Sequence, residues 1–116
     1  MKNLQLSLKT KWFNLTKQKI KPEDYREINE YWCKRLLNPY YLSARWEIIK
    51  GRLAMPNNFF KPFTQNTMTL GYPKKTDTER ILILEHKGIT IDYGKPEWGA
   101  EEGKLYFVIK HGEVIK

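Results

Sequence analysis

Lys21, Asp24 and Arg26 place two cations and one carboxylate within a six-residue stretch. An ammonium and a guanidinium donate to phosphate or carbonyl oxygens, and a carboxylate accepts from a base edge or an amine. In an extended chain Asp24 and Arg26 share one face, Tyr25 and Glu27 take the other, and Lys21 leans towards the first. The competing reading is a structural ion-pair cluster, in which exposed pairs contribute about 0–1 kcal/mol each. Trp98, in a loop carrying Gly and Pro, and Tyr72 are the aromatic candidates for stacking on a ligand or covering it. Trp12, Tyr31 and Trp32 read as core, His86 and His111 as ordinary turn or strand residues, and Cys33 as inert core. Lys17, Lys19 and Lys21 alternate with Gln18 and Ile20, as a phosphate-tracking stripe or a solvated turn would.

Cys33 is the single cysteine, so no intramolecular disulfide forms, and with two histidines a Cys/His zinc site lacks ligands. No metal and no cofactor is expected. The formal charge of +8 favours encounter with polyanions, although a basic solvated face gives the same number. The first residues alternate polar and apolar, unlike a secretory signal, and no apolar run reaches membrane-spanning length. The expectation is a cytoplasmic protein without a membrane span.

A chain of 116 residues without repeats or a Gly/Ser linker suits one domain, 1–116. Strands are expected at 5–9, 67–70, 81–86, 89–92, 105–110 and 113–115, the last two joined across His111 and Gly112. Trp12 to Thr16 fits a short helix, and Leu42, Trp46 and Ile49 give a second amphipathic segment closed by Gly51. Residues 93–103 read as a long loop over one end. Between Pro22 and Leu37, helical spacing of Tyr25, Ile28, Trp32 and Leu36 taken alone gives one long helix.

Trp12-Phe13, Lys21, Asp24-Tyr25-Arg26-Glu27-Ile28 and Tyr31-Trp32 stand in an order that resembles the ASCH domains, small barrels of the PUA-like kind carried by phages and bacteria. Gly71-Tyr72, Glu85 before Gly88-Ile89, and Pro96-Glu97-Trp98-Gly99-Ala100 followed by Tyr106-Phe107-Val108-Ile109 extend the likeness. The resemblance implies an α+β fold: a small, partly closed β-barrel of five or six strands with two or three short flanking helices. It makes residues 23–28 a strand and 30–37 a helix, and it leaves 40–62 as an insertion.

The resemblance also implies a mouth lined by Lys21, Asp24 and Arg26, with Glu85 facing it from a central strand. Such a mouth would bind RNA or a nucleotide-like ligand, with Tyr72 and Trp98 beside it. The alternative is a hydrolase of a modified nucleoside or of RNA, with Lys21, Asp24 and Glu85 as catalytic groups. One branch of the family uses a threonine nucleophile where this chain has Asp24, and a carboxylate does not replace that hydroxyl. A third reading is a phage or mobile-element module that binds a protein partner through 40–62.

Overall fold

The computed structural model describes residues 3–71, 73–74 and 76–115. Its core is a five-stranded sheet with order β1-β3-β4-β5-β2, made of β1 (Asn3–Leu8), β2 (Glu23–Arg26), β3 (Gln65–Leu70), β4 (Ile81–Tyr93) and β5 (Leu105–Val114). β1 runs parallel to β3 and the other neighbours are antiparallel. Three helices, α1 (Thr10–Lys17), α2 (Glu30–Leu36) and α3 (Arg45–Ile49), complete an α+β fold. The sheet curls into a half-barrel, so its two edge strands approach each other: Arg26 on β2 donates from Nη2 to the Ser7 carbonyl of β1 at 3.3 Å.

Sequence alternation sets the faces. Leu4, Leu6 and Leu8 of β1 point into the core while Asn3, Gln5 and Ser7 face out. β5 is covered on both sides. Phe107 and Ile109 join the main core with Leu36, Leu37, Phe59 and Met68, whereas Tyr106 and Val108 pack with Ala100 and Tyr25. The second cluster exists because the 94–104 connection folds back over the outer face. Tyr25 pins it there, its hydroxyl accepting from the Lys95 N–H at 2.9 Å and donating to Glu23 Oε2 at 2.8 Å.

Several boundaries differ from expectation. Residues 22–37 split as the resemblance implied, because Asn29 caps α2 by accepting from the Trp32 N–H at 2.9 Å, and the chain before it stays extended against β5. The two expected terminal strands are one, since β5 continues through His111 and Gly112 to Val114. Likewise 81–86 and 89–92 fuse into β4, with register shifts on either side of His86 marking an irregularity that bends the strand. Segment 40–62 forms a 3-10 turn (Pro39–Ala44), α3 and a loop, and it is built into the core: Ile48 and Phe59 are buried, and Phe60 stands edge-on to Phe107 at 5.9 Å. Tyr31, expected inside, is 60% exposed. No helix among the described residues is long and apolar enough to cross a membrane.

Candidate functional site

The gap between the edge strands β1 and β2 is a cavity of about 410 Å³. β1 and the turn after it give Ser7, Leu8 and Lys9, α1 gives Trp12, β2 gives Asp24 to Arg26, α2 gives Trp32, and the 94–104 connection gives Trp98 and Gly99. Lys21 lies in its floor. The volume falls within the range of small-molecule sites, which run about 300–1,000 Å³. Three indole rings, the cations Lys9 and Arg26 and the carboxylates Glu27 and Glu101 line the wall above Lys21, and the Arg26 guanidinium stands 5.3 Å from the Trp32 ring centroid. Lys95 sits over Trp98 at 4.7 Å and Lys11 over Trp12 at 4.8 Å, so positive charge rims the aromatic surface.

Under the cavity runs a chain of buried polar groups. Lys21 and Asp24, each 2% exposed, form an ion pair, and Lys21 Nζ also donates to the Glu23 carbonyl at 2.8 Å. Asp24 Oδ2 lies 2.7 Å from His111 Nε2, His111 Nδ1 lies 2.6 Å from Asn66 Nδ2, and Asn66 Oδ1 lies 2.7 Å from His86 Nδ1. Asn66 Nδ2 also faces the Lys110 carbonyl at 3.3 Å, a group that only accepts, which fixes the amide orientation. The proton positions follow: His111 Nδ1 accepts, so its Nε2–H donates to Asp24, and His86 Nδ1–H donates to Asn66. The register places both histidines together, for His86 and His111 are cross-strand partners on β4 and β5.

Burial raises the Asp24 carboxyl, but the hydrogen bond from His111 and the charge of Lys21 outweigh it and hold the group below its ordinary value. Burial lowers the Lys21 ammonium, with Asp24 offsetting part of the effect. His86 is pushed down to about 4 by burial and by the neighbouring His111. A pair this deep is no surface ion pair. Removing one partner leaves the other charge without compensation.

The residues expected to form a site are therefore brought together in part. Lys21, Asp24, Arg26 and Trp98 converge on one cavity. Glu85 does not join them: its Oε1 accepts from the Glu113 N–H at 2.9 Å and lies 4.0 Å from Lys87 Nζ, beside Gly112. Tyr72 lies outside the described residues. His111, expected as an ordinary turn or strand residue, is instead buried and carries the contact to Asp24, and Asn66, 0% exposed, is a functional candidate that the sequence pattern does not single out. The signal for Asn66 was available in principle, since an amide inside an otherwise strand-like run needs a partner. Its partners lie 20 and 45 residues away. Trp12 and Trp32, expected in the core, are half-buried and divide their surface between core and cavity. The described residues include no cluster of three His, Cys, Asp or Glu side chains arranged to hold a metal ion.

Comparison of the chain with protein-family models, with curated proteins and with solved structures finds no match.

Proposed function

We propose that this chain is an ASCH-like domain that binds RNA, seating one nucleotide unit in the cavity between β1 and β2. The observation that carries the reading is the composition of that wall: Trp12, Trp32 and Trp98 supply aromatic surface for a base, and Lys9 and Arg26 supply donors to phosphate or carbonyl oxygens, with Glu27 on the same wall paired to Lys104. A curled five-stranded sheet with the motif strand β2 at its edge agrees with the family likeness of Lys21, Asp24 and Arg26. The basic balance of the whole chain supplies the long-range attraction.

Titration of tryptophan fluorescence with uridine 5′-monophosphate and with short uridine oligonucleotides at low salt tests it. Binding should weaken as salt rises, and Trp98→Ala should weaken it about tenfold, the scale of one stacked base. No detectable binding of either probe at low salt would overturn the reading.

A hydrolase is the second reading, and the buried Lys21, Asp24 and His111 chain is what favours it, since such chains can move protons. It is weaker on two counts. Both Asp24 oxygens are occupied by Lys21 and His111, and the Ser7 hydroxyl on the cavity wall donates to the Gly71 carbonyl at 3.2 Å. Glu85 stands elsewhere, so a hydrolytic role for it requires turnover that Glu85→Ala removes.

A further inference from the structure

Two smaller hollows continue the cavity along the outer edge of β1. The first, about 270 Å³, shares Ser7, Arg26 and Trp32 with it. The second, about 340 Å³, shares Gln5 and Arg35 with the first and ends at Lys34, Lys61 and Phe63. The three form one groove whose floor is the edge of β1, about 17 Å long at the rise of a strand.

This edge is not open to another strand. Arg26 Nη2 donates to the Ser7 carbonyl at 3.3 Å and Arg35 Nη2 to the Gln5 carbonyl at 3.2 Å, so two arginines cover the outward carbonyls that a pairing peptide would need. Both guanidiniums stand 5.3 Å from the Trp32 centroid, and Tyr31, 60% exposed, stands edge-on to Trp32 with Arg35 also 5.6 Å from its ring centroid. Among the described residues, no carboxylate lines either outer hollow, whereas Arg26, Arg35, Lys34 and Lys61 do. A groove with cations spaced along it and an exposed ring midway matches a strand of phosphates and bases.

We infer that the groove along β1 is a track for single-stranded RNA, on the order of four nucleotides long, with its end unit in the cavity between β1 and β2. The inference rests on the proposed nucleotide site and adds to it the direction and length of the ligand. Arg26 sits where the two meet and serves both.

Affinity measured against uridine chains of increasing length, from the monophosphate to eight units, reads the track directly. Affinity should climb to about four units and then level off. Tyr31→Ala and Lys34→Glu lie outside the cavity wall, so each should weaken the tetramer about tenfold and leave the monophosphate unchanged. A tetramer that binds no tighter than the monophosphate overturns the track while the nucleotide site stands. So does a tetramer affinity indifferent to both substitutions. Failure of every probe to bind overturns both, and equal affinity for a polyglutamate peptide overturns the choice of RNA as occupant.

Discussion

Nε2 of His111 lies 2.7 Å from Oδ2 of Asp24, and this contact joins the floor of the cavity to a polar chain that crosses the core to His86. The Asp24 carboxylate is thus held from two sides, by an ammonium and by an imidazole N–H. Its position is set by the core and not by any ligand.

Asp24→Asn should destabilise the fold by about 3–5 kcal/mol, because Lys21 is left as a buried charge with a neutral partner. The Lys21→Met, Asp24→Asn double variant should recover a large part of that loss, since neither charge remains to be desolvated. Urea unfolding of the three proteins measures it. A single variant within about 1 kcal/mol of the parent would show that the pair behaves as an exposed one.

His86 gives the fold a dependence on mild acid. Its folded value of about 4 lies below its ordinary 6.5, so the unfolded chain takes up a proton that the folded one refuses. Stability should therefore fall as pH drops from about 6.5 to about 4 and level below that, by about 1–2 kcal/mol once partial exposure is discounted. Asp24 acts lower. Its folded value is depressed below 3.8, so its contribution is present above that value and is lost as pH falls through the folded one. In His86→Asn, which keeps an N–H donor for Asn66 without titrating there, the slope between pH 4 and 6.5 should flatten.

What could be read from the chain follows the range of the forces involved. The alternation in β1 and the short apolar pattern of α1 are local, and the sequence shows both. The strand at Glu23 to Arg26 is not local: helical spacing of Tyr25, Ile28 and Trp32 contradicts it, and pairing to β5, more than 80 residues on, decides the matter. Glu85 was misplaced for a related reason. Ile81 to Leu84 are all apolar, so either face could be the inner one; the buried residues are Leu82 and Leu84, which puts His86 on their face, where it meets Asn66, and Glu85 on the opposite face, where it meets the Glu113 backbone. Nothing in that run of four apolar residues marks the buried face.

Segment 40–62 offers a test of how the core is built. Phe59 is 1% exposed and packs among Tyr41, Phe60 and the main core. Phe59→Ala should cost about 3–5 kcal/mol in urea unfolding. Deleting 40–62 should abolish cooperative unfolding altogether. A deletion variant that melts like the parent would mark the segment as an appendage and revive the idea of a separable interaction module.

Gly99 and Gly103 separate backbone strain from damage to the cavity. Both have positive φ, +99° and +77°, where a side chain costs about 1–2 kcal/mol. They differ in what a Cβ would meet: at Gly103 open space, at Gly99 the Trp12 ring at 2.9 Å. Contact with a ring wedged between α1 and the core cannot be relieved without moving Trp12 or the 94–104 connection, and both form the cavity wall. Gly103→Ala should therefore lower the melting temperature and leave nucleotide affinity unchanged. Gly99→Ala should lower it further and also weaken uridine monophosphate binding, by about fivefold or more if Trp12 stacks on the base. Equal affinities in the two variants would remove Trp12 from the ligand wall and leave stacking to Trp32 and Trp98.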